Sequence, residues 1–264
     1  MADKFTTSVN ILRDTERAFN YIPTPNGTQV VRQMVNDFKK GLRSFNVVGT
    51  YGTGKSSFLL AFEQSLNGNR RFFDPNFLKD SNVDFIKFIG TYSSLIERFA
   101  DQFKVIDQKL KTDHILTEIF SRYKAIKGEN KILFIVIDEF GKFLEYASKH
   151  NPEDELYFVQ QLAEFCNNSE HNIVLITTVH QSLESYAYSL TITQKQEWTK
   201  VKGRFREITF NEPVEQLLFL AAEHIRANGT NIKTAQPYLE CLKLSLTTKA
   251  FNFSKDFANE IAEK

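Results

Sequence analysis

The chain has 264 residues, of which 42% are hydrophobic and 25% are charged, and these proportions are typical of one globular α/β domain with additions. The sequence contains no run of about 18 apolar residues, the length that a membrane-spanning helix needs, and residues 1–13 lack the apolar core of a signal peptide. The net charge of +1 gives no electrostatic argument for binding nucleic acid and leaves that question open. Because Cys166 and Cys241 lie far apart without a CxxC or Cys/His cluster, we expect a reducing cytoplasm, no disulfide framework and no structural zinc site.

Short apolar runs alternate with amphipathic helices, which predicts a three-layer α/β fold with a mainly parallel central sheet. In chain order the first half predicts a helix over 28–41, a strand over 45–49, a helix over 55–66, a strand over 83–89 and helices over 93–104 and 107–127. The second half predicts strands over 131–138, 172–179 and 207–210, with a helix from about 213 to 227. Residues 1–44 are therefore interpreted as a segment and helix leading into the core, 45–212 as the core, and 213–264 as a helical extension.

The helix between the third and fourth strands has clear start signals. Asn151 is the predicted N-cap and Pro152 the first helical residue, followed by three acids at the positive helix end. Its predicted apolar stripe consists of Phe158, Val159, Leu162 and Cys166.

Residues 49–56 read GTYGTGKS and match the phosphate-loop pattern G-x-x-x-x-G-K-[ST], between a predicted strand and a predicted helix. Glycines let the backbone turn so that N–H groups face an anion, and the helix N-terminus adds partial positive charge. Lys55 is predicted to reach the β- and γ-phosphates of a nucleotide, and the Ser56 hydroxyl to bind Mg²⁺. The nucleotide-binding segment is predicted to comprise Gly49, Thr50, Tyr51, Gly52, Thr53, Gly54, Lys55, Ser56 and Ser57.

Residues 131–140 read KILFIVIDEF, an apolar strand that ends in two acids. Ligands of parallel sheets bind at the carboxyl edge of the strands, so we assign Asp138 to Mg²⁺ through water and Glu139 to polarising the attacking water. Acids also end many strands without any such role. The assignment depends on the phosphate loop about 80 residues earlier.

Residues 173–181 read IVLITTVHQ and predict a further strand with a polar tip. Thr178 is the first candidate to contact the γ-phosphate or the water, and His180 is the second. The alternative for both is structural, since Thr is common in strands and a His after a strand is often an ordinary turn residue.

Residues 198–210 read WTKVKGRFREITF, in which Gly203, Arg204, Phe205, Ile208 and Phe210 resemble the "GRF-x-x-I-x-F" stretch of AAA+ ATPases. The resemblance implies that Arg204, with Arg206 as second candidate, is an arginine finger that reaches the γ-phosphate of a neighbouring subunit. A planar cation there would neutralise charge that develops during phosphoryl transfer. The alternative is that these are basic residues on the last turn of a helix.

Over residues 45–210 the order of these motifs resembles AAA+ and related signal-transduction (STAND) ATPases. More narrowly, "YGTGKSSF", "DEFGKFLEYA", "QQLAEF", "HQ" and "EW-x-KV-x-GRF" resemble the N-terminal ATPase domain of large bacterial ATP-binding proteins of phage-defence gene clusters. The narrower resemblance implies that His180 and Gln181 belong to the site.

Two features depart from the AAA+ pattern. A helical lid with its own arginine is expected after the core, yet Arg226 is the single arginine of residues 213–264, which show no recognisable lid motif. Either the lid is degenerate or the chain is the front part of a longer protein, and we expect the second. The segment that touches adenine in related ATPases corresponds to residues 20–23, so Tyr21 and Ile22 are the predicted adenine contacts, with an ordinary turn before a helix as the alternative.

Together these observations predict an ATPase that binds ATP and Mg²⁺ and drives conformational change or assembly in a larger bacterial defence or DNA-transaction protein. Self-association in the ATP-bound state and contacts with further domains or defence proteins are expected, without a membrane. One alternative is an ATP-binding switch with negligible turnover. Another, a P-loop kinase, is disfavoured because the two acids and the arginine suit activation of water better.

Overall fold

A computed structural model describes residues 9–16, 21–68, 72–74, 81–106, 111–188, 190–212, 216, 218, 220, 236–248 and 253–263. Its strands are β1 (Ser44–Val48), β2 (Asn82–Ile89), β3 (Lys131–Asp138), β4 (Ile173–Val179) and β5 (Arg206–Thr209). Its helices are α1 (Pro25–Lys39), α2 (Lys55–Leu66), α3 (Leu95–Phe103), α4 (Lys111–Ala125), α5 (Gly141–Ala147), α6 (Pro152–Asn167), α7 (Leu183–Tyr186), α8 (Ile192–Lys202), α9 (Gln236–Leu246) and α10 (Lys255–Glu263).

The five strands form one parallel sheet in the order β2-β3-β4-β1-β5, which confirms the predicted α/β fold. Strand β4 lies between β1 and β3, pairing Val48 with Val179 on one side and Ile137 with Thr177 on the other. Because parallel strands end at the same edge, the segments after β1, β3 and β4 lie side by side.

Apolar layers cover both faces of the sheet, because alternate residues of each buried strand point to opposite faces. One layer joins α1 and α2 to Phe45, Phe134 and Ile176. The other joins α3 to α8 to Leu133, Ile135 and Leu175. The phenylalanines that are buried in these layers are Phe45, Phe58, Phe62, Phe73, Phe88, Phe99, Phe134, Phe140, Phe143, Phe158, Phe205 and Phe210.

Most predicted elements occur within a few residues of their expected bounds, and the differences have local causes. Helix α1 starts at Pro25, three residues early, because the Thr24 side chain accepts a hydrogen bond from Gly27 N. Asn151 occupies the predicted N-cap position of α6, but its backbone is left-handed (φ 50°) and its side chain makes no capping hydrogen bond. It donates instead to Asp154 Oδ2 at 2.5 Å.

The described chain divides into two compact units, one ending at Pro213 and one starting at Val214. The predicted helix over 213–227 lies almost entirely outside the described residues, as does Arg226. The later unit contains α9 and α10, which contact each other. Among the described residues, none of the helices is both long and apolar enough for a membrane crossing. Cys166 is buried and Cys241 exposed, and both are free thiols.

His171 lies buried before β4, against the rings of Phe120, Tyr123 and Phe165. Neither of its ring nitrogens has a hydrogen-bond partner within the described part of the chain. Burial lowers the pKa of His171, and the nearby positive charge of Arg43 lowers it further. The folded protein therefore keeps this imidazole neutral at a pH where the unfolded chain, with an ordinary pKa of about 6.5, takes up a proton.

This difference predicts that the free energy of unfolding falls as the pH drops below about 6.5, because the unfolded state then binds the extra proton. One such group contributes a slope of up to about 1.4 kcal/mol per pH unit. Replacing His171 with Leu should remove that part of the slope in urea unfolding between pH 7.5 and 5.5. His114→Gln, an exposed histidine of α4, should keep the wild-type slope. An unchanged slope in His171→Leu would contradict the assignment.

Candidate active site

The loop between β1 and α2 has the backbone that its glycines allow. Gly52 and Gly54 have φ values of 79° and 87°, which non-glycine residues rarely adopt. Gly54 is the N-cap of α2 and has no side chain, so the first N–H groups of α2 are left for another acceptor. The N-terminus of α2 is therefore suited to binding an anion.

The Lys55 amine is folded back into this loop. Its Nζ donates to the carbonyl oxygens of Gly49 at 2.5 Å and Thr50 at 2.8 Å. Burial lowers the pKa of Lys55, while Asp138 and Glu139 raise it. The amine is thus a cation held between the loop and two carboxylates, at the place where a phosphate would sit.

Asp138 is 4% exposed at the end of β3, and a threonine of β4 holds it. The Thr178 hydroxyl donates to Asp138 Oδ1 at 2.6 Å and accepts from the backbone N–H of Glu139 at 2.9 Å. The same N–H also lies 3.1 Å from Asp138 Oδ1. In this structure Thr178 therefore positions the two acids, and its hydroxyl is directed at Asp138.

Glu139 has a left-handed backbone with φ 55°, a conformation that costs a non-glycine residue about 1–2 kcal/mol. The hydrogen bond from Phe140 N to Thr178 O, 2.8 Å long, closes the turn on the β4 side. The Glu139 carboxylate is half-exposed and pairs with Lys142, with 2.5 Å between Oε2 and Nζ. Lys142 was not among the predicted site residues, although it follows in the same "DEFGK" stretch.

Gly90, at the end of β2, is a second residue that the sequence analysis missed. Its N–H donates to Asp138 O at 2.7 Å, and a Cβ on it would overlap the carbonyl oxygen of Glu139. Only glycine fits against this turn. A lone glycine after a predicted strand is too common a signal to have identified this role.

His180 follows β4 and lies between two tyrosines. Its ring stacks on Tyr51 of the phosphate loop, with 4.7 Å between ring centroids, and its Nδ1 is 3.2 Å from the hydroxyl oxygens of both Tyr51 and Tyr186. Burial raises the pKa of Tyr186. The structure thus connects His180 directly to the phosphate loop.

These groups line one cleft of about 420 Å³. The lining residues are Val9, Asn10, Tyr51, Gly52, Gly54, Lys55, Ser56, Ser57, Ile89, Asp138, Glu139, Lys142, Thr178, Val179 and His180. Of the predicted phosphate-loop residues, Gly49, Thr50 and Thr53 do not line the cleft, and the Thr53 hydroxyl donates to Thr50 O at 2.9 Å.

Tyr21 and Ile22 do not line the cleft. Tyr21 packs edge-on against Phe72 and tilted against Phe73, with both ring centroids 5.7 Å away, and burial raises its pKa. Val9 and Asn10 are the residues of the N-terminal segment that reach the cleft, and the sequence analysis did not select them. The adenine contacts assigned to Tyr21 and Ile22 stay a prediction.

Ser56 and Asp138 both lie in the cleft and carry the oxygen ligands that Mg²⁺ prefers. The described residues contain no group of three or more His, Cys, Asp or Glu side chains that could hold a metal ion alone. A Mg²⁺ ion bound through few protein ligands, waters and phosphates fits this donor set.

Arg204 lies away from this cleft. Arg206, two residues later, pairs with Phe45 at the start of β1, about 10 Å before Val48 at 3.3 Å per residue. Arg204 is therefore at the amino edge of the sheet, opposite the phosphate loop, where its Nη2 contacts Glu164 Oε1 at 2.7 Å. Arg206 contacts Asp37 of α1 at 3.1 Å.

No protein-family model and no curated protein matches the chain significantly. Several solved structures are similar to the chain. The ORC2 protein of Aeropyrum pernix in its ADPNP–ADP complexes is 12% identical, with 96% of this chain and 71% of that chain covered and a TM-score of 0.51. Its ADP form is 12% identical, with 94% and 71% covered and a TM-score of 0.50. AMPPCP-bound DnaA from Aquifex aeolicus is 13% identical, with 92% and 68% covered and a TM-score of 0.46.

The chain thus shares its α/β fold with the ORC2 protein of Aeropyrum pernix, in agreement with the fold class predicted from the sequence. At 12% sequence identity, this similarity shows a shared fold alone.

The contacts of Thr178 generate a prediction with an internal control. Thr178→Val removes a buried hydroxyl that serves both acids, so we expect a loss of about 1–3 kcal/mol in the free energy of unfolding and weaker Mg²⁺-dependent nucleotide binding. Thr177→Val is the matched control, because the Thr177 hydroxyl is equally buried and donates to Asn46 Oδ1 at 2.8 Å on the other face. It should cost similar stability but leave binding intact. Equal effects of both variants on binding would refute a positioning role of Thr178.

Proposed function

We propose that this chain is an ATPase that binds ATP with Mg²⁺ in the cleft at the carboxyl edge of the sheet and hydrolyses it. One observation carries the proposal: the sheet brings Lys55 and Ser56 of the phosphate loop into one cleft with Asp138 and Glu139. Phosphate binding needs the loop and its cation, and water activation needs a carboxylate beside them. Both sets of groups are present, separated in sequence and adjacent in space.

Each residue has a chemical role in this proposal. The α2 N-terminus and Lys55 bind the β- and γ-phosphates, which requires the Lys55 amine to leave the carbonyls of Gly49 and Thr50. Ser56 and Asp138 hold Mg²⁺, which supplies charge neutralisation at the phosphates when bound. Glu139 orients the attacking water and accepts its proton. Thr178 and, as second candidate, His180 line the same cleft and are proposed to contact the γ-phosphate or the attacking water.

Arg204 is proposed as a finger that acts on the neighbouring subunit. Its place at the amino edge of the sheet supports this role, because it cannot reach the phosphate loop of its own chain. The proposal implies self-association in the ATP-bound state. It also requires Arg204 to exchange its half-exposed contact with Glu164 for a phosphate, which costs little because such pairs contribute only about 0–1 kcal/mol.

The biological setting that we propose is a larger bacterial defence or DNA-transaction protein of the cytoplasm. Its support is the resemblance of the five sequence stretches to phage-defence ATPases and of the motif order over residues 45–210 to AAA+ and STAND ATPases. The ORC2 protein of similar fold forms ADPNP–ADP complexes, which agrees with the nucleotide-binding role that we propose here. We further propose that residues 213–264 are the start of a lid, which their helices α9 and α10 support.

A second candidate is an ATP-binding switch with negligible turnover. The pairing of Glu139 with Lys142 and of Arg204 with Glu164 favours it, because each group that hydrolysis needs is neutralised within the chain. Turnover separates the two candidates.

Phosphate release and calorimetry test the proposed site directly. Lys55→Ala should abolish measurable ATP binding, because it removes the cation that faces the β- and γ-phosphates. Glu139→Gln should bind ATP at least as tightly as wild type. Its rate of phosphate release should be lower by a factor of about 100 or more, because the carboxylate acts on water. Wild-type binding by Lys55→Ala would refute the phosphate site. Wild-type turnover at or below that of Glu139→Gln would favour the switch.

The finger predicts that specific activity rises with protein concentration, since arginine fingers contribute roughly 10³–10⁵ in rate. Arg204→Ala should lose this rise and still bind ATP. The matched control is Arg122→Ala, whose half-exposed arginine pairs with Asp84 through Nε at 2.7 Å and should leave the rise unchanged. Mixing Arg204→Ala with Glu139→Gln should restore activity, because one interface then combines an intact finger with an intact carboxylate. Mixtures that co-assemble but stay inactive would exclude Arg204.

A further inference from the structure

Lys142 is a cation of the cleft to which neither the motif pattern nor the proposed reaction assigns a role. It lies in the first turn of α5 and lines the cleft together with Lys55 and Asp138. Its Nζ is 2.5 Å from Glu139 Oε2, and the two side chains are 45% and 42% exposed. The bond to Glu139 raises the pKa of Lys142, and Tyr51 and Asp138 raise it further. Lys142 is thus charged and close to both the phosphate loop and the acids.

The contact between Lys142 and Glu139 conflicts with the role proposed for the carboxylate. Glu139 orients and deprotonates water best when its oxygens are available, whereas one of them is bonded to Lys142. A half-exposed ion pair of residues i and i+3 contributes only about 0–1 kcal/mol. A terminal phosphate with about two negative charges in the same cleft is a stronger partner for an ammonium group than one carboxylate.

We propose that Lys142 binds the γ-phosphate and that it holds Glu139 when no γ-phosphate is present. On ATP binding the Lys142 amine moves from Glu139 to the γ-phosphate, and Glu139 is released to act on water. With ADP, which has no γ-phosphate, Lys142 stays on Glu139. This inference rests on the proposed function and adds to it a residue that distinguishes ATP from ADP and links that distinction to the state of the carboxylate.

The distinction between the two nucleotides can be measured as binding, without turnover. Calorimetry with Mg²⁺ should show that Lys142→Met weakens a non-hydrolysable ATP analogue about tenfold or more, the effect of losing one charged hydrogen bond, and changes ADP affinity less than twofold. Lys142→Arg should keep most of the preference for the analogue, and urea unfolding checks that both variants fold.

The matched control is Lys200→Met. Lys200 pairs with Glu197 across the same i, i+3 spacing, at 2.8 Å and with 55% and 52% exposure, and it does not line the cleft. The Lys200→Met variant should bind both nucleotides with wild-type affinity.

A double-mutant cycle tests the exchange itself. Glu139→Gln should bind the analogue more tightly than wild type, because Lys142 no longer has to leave a carboxylate. In the Lys142→Met background the same change should have no effect on analogue affinity. If Glu139 acted only by repelling the phosphate, the tightening would persist in that background and the exchange would be refuted.

The remaining outcomes are also decisive. Equal loss of ADP and analogue affinity in Lys142→Met, or loss of neither, would overturn the role of Lys142 while leaving the ATPase proposal intact. Failure of the wild-type protein to bind either nucleotide would instead refute the proposed function.

Discussion

The position of the two acids depends on the Thr178 hydroxyl, whose hydrogen bonds connect strand β4 to Asp138 and to the backbone of Glu139. They exist because β4 lies between β1 and β3 in a parallel sheet, so that Thr178 at the end of β4 stands beside Asp138 at the end of β3. If β4 were antiparallel to β3, its amino end would lie beside Asp138, and Thr178 would lie at the opposite edge of the sheet. Thr178 then supplies an acceptor to Glu139 N and a donor to Asp138, and these bonds stabilise the left-handed backbone of Glu139. Gly90 lets β2 approach the same turn from the other side. The position of both carboxylates therefore depends on three strands that end together.

Much of this arrangement was predictable from sequence, because its strands are short apolar runs and its loop has a fixed pattern. The bounds of α2 and β3 agree with those predicted, since both begin and end at clear changes of pattern. Other features depend on tertiary contacts that local pattern does not contain. Gly90 matters only because Glu139 lies against it, and Lys142 only because α5 directs its amine back into the cleft. The ring of Tyr21, a predicted adenine contact, packs against Phe72 and Phe73, which the local pattern did not indicate, and its contact with adenine stays a prediction.

Three charged side chains of the proposed reaction have a partner within the chain. Lys55 binds two loop carbonyls, Glu139 binds Lys142, and Arg204 binds Glu164. Neither of the two ion pairs is fully buried, and half-exposed pairs of this kind are weak. Breaking such a pair in favour of a ligand of higher charge therefore costs little free energy. The exchange that we propose therefore needs only side-chain movements at these pairs.

The N-terminal segment is held by a different kind of interaction, and the contrast is informative. Lys87 of β2 donates to Ile11 O, to the Thr15 hydroxyl and to both carboxylate oxygens of Glu63 on α2. Lys87 and Glu63 are 13% and 6% exposed, and burial raises the pKa of Glu63 against the effect of Lys87. Removing one partner of such a buried pair leaves an uncompensated charge, which costs several kcal/mol. The segment that brings Val9 and Asn10 to the cleft is therefore fixed to the core through a buried ion pair, whereas the pair of Lys142 and Glu139 in the cleft is half-exposed. The division follows burial: the costly ion pair lies where the backbone is fixed, and the weak one lies where the proposed nucleotide would displace it.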